Sequence, residues 1–484
     1  MFSQIKRLGA DTAVYGISTI VGRFLSFFLV PFYTNVLAPG AYGIVAIVYS
    51  YIAFLNVIYS YGMEAAYFRY GSSLETGDEK DNFTTPFTSI AVTSLIFSSI
   101  LYFSARSAAP LFQIDESYYR IIRYAAGILF FDALVIIPFA SLRLARRAKF
   151  FAFLTIVNIA SNVVFNIVTL VVLRWGIESI FISGLASSVL TFLLLIPHIM
   201  RNIKLSFSKP LYRELLKFGL PYIPVGVSGI ILQVVDRPIL KLMTTDSAVG
   251  IYQANYRLGI FMNLVSSMFE YAWRPFFLSH AKEENAKPLF ARVMTYYVLA
   301  SAFMFLVLSL FIPDIVKFRI LGRYIIHPAY WSGLGLVPIV LLAYVFAGIS
   351  VNLNAGIQIQ KKTMYLLPVS IIASVSNIAA NFLLIPVWGI YGAAYATLIA
   401  YVLSTAVLFV VVQRFYHIDY EYDRLSKIAV VTLAAYAVYA LAVPEAPVWQ
   451  KLLVIALWGA AMAAGRFFTE DEMKIVKRVM RIRQ

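Results

Sequence analysis

The feature that most constrains this chain is a recurring pair of long apolar segments joined by a very short turn, first seen between Gly9 and Arg69. The first segment, about Asp11 to Val36, and the second, about Tyr42 to Phe68, are each long enough as helices to cross a bilayer with some tilt. Leu37 to Ala41 is then a hairpin tip at a membrane surface. The bulk numbers agree: 61% of the residues are hydrophobic, only 13% are charged, and the mean hydropathy is +0.79. A soluble domain carries about 25% charged residues. The expected fold is all-α, a polytopic membrane protein.

Continued along the 484 residues, the same reading gives about 14 transmembrane helices. Two internal echoes organise them. At a fixed shift of 207 positions, Gly22, Pro31, Gly43, Tyr49, Phe54, Asn56 and Ser60 return as Gly229, Pro238, Gly250, Tyr256, Phe261, Asn263 and Ser267. At a shift of 213, Lys149, Ser161, Trp175 and Gly176 return as Lys362, Ser374, Trp388 and Gly389. Ungapped matches that include turn and helix-breaking residues mark a repeat, and repeats in transporters commonly place the substrate site at their interface. The expected organisation is a six-helix bundle over 1–200, a basic cytoplasmic linker over 201–217, a second six-helix bundle over 218–412, and two additional helices with a basic tail over 413–484. Each half contains an even number of spans, so the halves keep the same orientation and a pseudo-two-fold axis lies along the membrane normal.

Charge sets the orientation and narrows the function. With the amino terminus in the cytoplasm, about 28 of the 40 Lys and Arg fall in cytoplasmic segments and about 9 outside, as the positive-inside rule requires. Both termini are therefore expected in the cytoplasm of a bacterial cell, with the chain in the inner membrane. Lys6 and Arg7 precede a first span too long for a signal-peptide core, so that span is read as a retained anchor. The net charge of +16 is parcelled into short loops and forms no continuous patch, which argues against nucleic acid as a partner. With no cysteine and four scattered histidines there is no disulfide, thiolate or metal-ligand spacing. No P-loop, GxSxG or HExxH is present, so no cofactor and no enzyme chemistry are expected.

Several polar residues interrupt the apolar text. Arg23, Arg237 and Arg257 lie inside predicted spans, where each guanidinium costs about 2.5–3.5 kcal/mol if it faces lipid, so all three must face protein or water. They line a substrate path in one reading; in the other, Asp132 or Asp236 neutralises them and they only fix packing. Arg237, near an outer end, has the further option of snorkelling to the surface. Asn158, Asn162 and Asn166 recur at helical spacing on one face of the fifth span, as Asn377 and Asn381 do in the eleventh. Such amides suit sugar hydroxyls in the central cavity, and they suit interhelical hydrogen bonds, the commoner use of polar side chains between membrane helices. Glu64, Arg69, Glu270 and Arg274 sit at corresponding cytoplasmic span ends and are expected to form salt bridges that close an inner gate.

The opening YGIS…GRFLSFFLVPFYTNVLAPGAYGI, the following YGMEAAYFRY, YAWRPFF at Tyr271 to Phe277 and the VWGIYGAA turn resemble the polysaccharide transporter family of the multidrug/oligosaccharidyl-lipid/polysaccharide exporter superfamily, which includes O-antigen flippases. The resemblance implies translocation of an undecaprenyl-pyrophosphate-linked oligosaccharide from the cytoplasmic to the outer leaflet, by alternating access, for O-antigen, capsule or exopolysaccharide assembly. It also implies other polysaccharide assembly proteins as partners and a cationic central cavity, which Arg23 and Arg257 would fit in place and sign. A lipid II flippase, a cation-coupled multidrug exporter and a membrane glycan polymerase or ligase are the competing readings. The short outer loops disfavour the last of these.

Overall fold

A computed structural model describes residues 22, 25, 27–320, 322–442, 446–464 and 467. Arg23, on which part of the site expectation rests, lies outside them. Among the described residues ten helices are long and apolar enough to cross a membrane, from Pro39–Ser73 to Tyr422–Leu441. They coincide with the second to sixth and the ninth to thirteenth expected spans. The other four explain why a simple length test passes over them. Only Leu29–Val36 of the first is a described helix. The seventh is split into Tyr222–Val234 and Asp236–Met243, the former bent by 43° from the preceding Lys209–Gly219, and the eighth is interrupted by a 3-10 turn at Arg257–Gly259. The fourteenth, Val448–Ala464, has 17 residues. The chain is all-α and polytopic apart from a two-stranded ribbon pairing Arg319–Ile320 with Arg323–Tyr324.

Local chemistry sets the boundaries. Pro39 opens the Pro39–Ser60 helix in its first turn, where a missing N–H costs nothing. Asp78 caps Glu79–Phe103 through a reciprocal capping box with Asp81. Gly176 and Gly389, mates at the 213 shift, both adopt positive φ (+70° and +53°) in the tight turns after the fifth and eleventh spans, a conformation that a side chain would disfavour. Trp175 and Trp388 stand beside them, about half exposed in each case.

The halves repeat their packing as well as their sequence. In the first, Tyr119–Leu144 packs against Glu79–Phe103 and Glu178–Asn202, and the latter against Ala148–Asn166. In the second, Val337–Ile359 packs against Ala286–Lys317 and Ile390–Gln413, and the latter against Leu366–Trp388. These are the same three pairings in repeat-equivalent spans. Tyr422–Ala442 and Val448–Ala464 pack on each other and on Ala286–Lys317, outside both sets. Lys451, almost fully buried, fastens this pair through an ion pair to Asp314 at 2.5 Å.

Candidate functional site

The halves meet most closely where Pro39–Ser60 and Asp246–Tyr256, repeat mates, cross at their amino-terminal ends. Gly43 and Gly250 form the crossing. A Cβ on Gly43 would run into the Asp246 carbonyl, and one on Gly250 into the Pro39 carbonyl, so only hydrogen at both positions lets the backbones approach this far. Polar contacts seal the same end: Asn35 donates to the Tyr324 carbonyl and the Tyr330 hydroxyl to the Leu37 carbonyl, each at 2.8 Å.

Past this crossing the helices enclose a cavity of about 310 Å³. Pro39–Ser60 contributes Tyr49 and Ser50; the second half contributes Gln253, Tyr256, Arg257 and Asn263, with Arg237 also at the wall. Tyr49 and Tyr256 are themselves mates at the 207 shift. The repeat match contained these cavity residues, yet nothing in the linear text separates them from the many packing tyrosines.

The two described intramembrane arginines are used differently. Arg237 is 5% exposed and Asp236 3%, so Arg237 does not snorkel. Its Nη1 lies 2.6 Å from an Asp236 carboxylate oxygen and also donates to the Gln233 carbonyl, while Nε donates to Gln253 Oε1 at 3.0 Å. The guanidinium stacks 4.3 Å from the Tyr256 ring centroid, and Tyr252 donates its hydroxyl to the second Asp236 oxygen. The packing reading therefore holds for Arg237. Arg257 is the contrast. It sits in the 3-10 break of the eighth span, half-buried and facing the cavity. Among the described residues none accepts a hydrogen bond from it and no carboxylate pairs with it; the Tyr33, Tyr42 and Tyr49 hydroxyls are the groups within its electrostatic reach.

Other expectations are corrected by the geometry. Asp132 accepts a hydrogen bond from Ser188 at 2.6 Å, inside the first half, and among the described residues no arginine pairs with it. The amide stripe is turned to neighbouring helices. Asn158 donates to Thr191 Oγ1 at 2.8 Å, Asn162 to Ser187 Oγ at 3.2 Å, and Asn166 accepts from the Tyr33 hydroxyl at 2.9 Å. Asn377 is buried and accepts from Asn381 within its own helix. None of these lines the cavity, so interhelical bonding, and not sugar recognition, accounts for the bonded amides. The inner-gate pairing is absent too: Glu64 pairs with Arg143 and Arg69 with Glu75, each within the first half. Glu270 and Arg274 are exposed, and among the described residues neither has an ion-pair partner. No group of three or more His, Cys, Asp or Glu among the described residues is placed to hold a metal ion.

Fold and site together define a multi-pass membrane protein with a polar cavity that carries Arg257, which has no ion-pair partner among the described residues. Within that class, the chain belongs to the polysaccharide biosynthesis protein family, whose model matches residues 34–324, a stretch that includes the YGMEAAYFRY and YAWRPFF motifs, and this bears out the resemblance. No curated protein matches it in sequence. Its fold is that of a solved lipid II flippase, MurJ, in an inward closed conformation (TM-score 0.72, 18% identity, 93% of this chain and 98% of that chain). It is similar to a multidrug resistance MATE family transporter of the MOP superfamily in an inward-facing conformation (0.65, 14% identity, 84% and 95%). An outward-facing conformation of such a transporter superposes less closely (0.57, 16% identity, 88% and 96%).

Proposed function

We propose that this protein is a flippase that moves an undecaprenyl-pyrophosphate-linked oligosaccharide from the cytoplasmic to the outer leaflet of a bacterial inner membrane, by alternating access, for surface polysaccharide assembly. The observation that carries the reading is Arg257, a guanidinium that lines the cavity and has no ion-pair partner among the described residues. A diphosphate brings negative charge into a low-dielectric space, and arginine meets it with a bidentate fork where lysine offers a point charge. Arg23 is proposed to supply the facing cation from the first half. Residues 1–200 and 218–412 act as the two bundles, related by a pseudo-two-fold axis along the membrane normal, joined by the basic segment 201–217 and followed by 413–484. Both termini lie in the cytoplasm on this reading, which makes the Gly43–Gly250 crossing the outer end and the described conformation one closed to the outside.

The test is export of the glycan by cells whose variant protein is present at normal level. Arg257→Ala and Arg23→Ala are expected to insert normally and to lose export, with lipid-linked glycan accumulating on the cytoplasmic side, and lysine at either position to restore export in part. Normal export by a well-expressed Arg23→Ala, Arg257→Ala double variant removes the diphosphate clamp. The fold shared with a lipid II flippase keeps peptidoglycan precursor as the second reading. The identity of the accumulated lipid-linked glycan decides between them.

A further inference from the structure

A second cavity, about 630 Å³, opens away from the centre, between the ends of Glu79–Phe103 and Tyr119–Leu144 nearest the 105–118 connection. Its walls change character along their length. Leu95, Phe130 and Phe131 make an apolar slot, while Arg120, Arg123, Tyr102 and Tyr124 gather at the mouth. Leu95 and Phe103 are exposed, so the slot opens on the surface that meets lipid. The cations there are held in place. Arg123 lies 4.9 Å from the ring centroids of both Tyr102 and Tyr119, and Arg106 5.5 Å from Tyr119. The Arg123 Nε is buried and has no hydrogen-bond partner. Glu178 accepts a weak hydrogen bond from the Tyr124 hydroxyl at 3.4 Å and faces Arg120, and among the described residues no carboxylate forms an ion pair with Arg123.

We infer that this cavity holds an anionic phospholipid, its phosphate between Arg120 and Arg123 and one acyl chain in the Leu95–Phe131 slot. Charge complementarity selects the occupant. A guanidinium fixed by two aromatic faces, with a buried donor unmet, is prepared for a phosphate oxygen. An apolar slot of this size is within the range of ligand pockets, about 300–1,000 Å³, and its opening to lipid suits an acyl chain better than a soluble molecule. The site is separate from the central cavity and its occupant is not the transported substrate.

The experiment uses full-length protein, delipidated in a neutral detergent and titrated with phosphatidylglycerol or phosphatidylcholine, with bound lipid counted by native mass spectrometry. Wild type is expected to retain one phosphatidylglycerol at about tenfold lower concentration than phosphatidylcholine, in line with what cationic side chains contribute at a membrane surface. The Arg120→Gln, Arg123→Gln double variant should lose that preference. Ser99→Trp fills the slot without touching the charges, and should lose the retained lipid, which guards against a double variant that misfolds. Lys282→Gln, in an exposed loop far along the chain, should change nothing. Equal retention of the two lipids by wild type overturns the inference, as does an unchanged preference in the double variant or an equal loss with Lys282→Gln.

Discussion

Deleting the Arg237 guanidinium leaves the Asp236 carboxylate buried among Tyr252 and its neighbours with its countercharge gone. Breaking a buried pair from one side costs about 3–5 kcal/mol, most of it the penalty for the stranded charge. Arg237→Ala is therefore expected to lower the melting temperature of the purified protein sharply. Asp236→Asn combined with Arg237→Gln, which removes both charges and keeps hydrogen-bonding groups, should recover much of the loss. If the double variant melts as early as Arg237→Ala, the pair is not the stabilising unit. Arg257→Ala should leave the unfolding free energy within about 1 kcal/mol of wild type, because no ion pair among the described residues is broken. The sequence marked both arginines as buried in apolar text, and hydropathy carries no more than that. Which of them was spent on a partner depended on a carboxylate at the adjacent position and a glutamine 16 residues on, carried by the next helix packed beside it. The asparagines were misjudged for a related reason: helical spacing gives a shared face but not what that face meets.

Elements joined by the repeat differ in how openly they announce their contacts. The 207 shift matched Gly43 with Gly250, and both glycines read as ordinary punctuation until the two helices were seen to cross there. At each, the obstacle to a Cβ is backbone, which cannot rotate aside. Gly43→Ala or Gly250→Ala should push the crossing apart and shift the population away from the closed end. Since the chain has no cysteine, Ala46→Cys, buried at the cavity past the crossing, reports this: its labelling by a membrane-impermeant thiol reagent should rise when either glycine is replaced by alanine. Unchanged labelling would mean that the crossing yields without opening. On the opposite face, the Asp81 N–H at 2.6 Å and then the Lys204 ammonium at 3.0 Å hold the Asp78 carboxyl below the ordinary carboxylate range. A carboxylate whose pKa falls on folding contributes fully above its unfolded value, about 3.9, and loses that contribution as the pH drops through the folded one. Hydrogen exchange over 203–208, corrected for intrinsic rate, should therefore speed up in acid below about pH 4 and hold steady above pH 5. Asp78→Asn should show the faster exchange already at neutral pH.

At the scale of the whole molecule the all-α class and most of the span positions were legible because lipid leaves so little choice: a backbone in hydrocarbon must satisfy its own hydrogen bonds. The relative placement of the halves was not legible, because it depends on which helices meet, and apolar faces of similar composition do not encode that. The structure supplies the contact that a transport cycle has to break. Gly40 and Ser247 stand on opposite halves beside the glycine crossing, and a Cβ on Gly40 would lie 3.4 Å from the Ser247 Oγ. A cysteine Cβ at 40 thus touches the end of the side chain at 247, which brings the sulfurs of a cysteine pair at the two positions within reach of each other. In a protein without other thiols, Gly40→Cys with Ser247→Cys should form one cross-link under oxidation and fix the closed end. A carrier working by alternating access needs that end to part once per cycle, so the oxidised protein should stop exporting lipid-linked glycan, and a reductant should restore export. Each single variant, oxidised alike, should export as wild type does, which separates the cross-link from damage by the substitutions. Full export by protein shown to be cross-linked would mean that the halves do not separate at Gly43 and Gly250, and the alternating-access reading would fall with it.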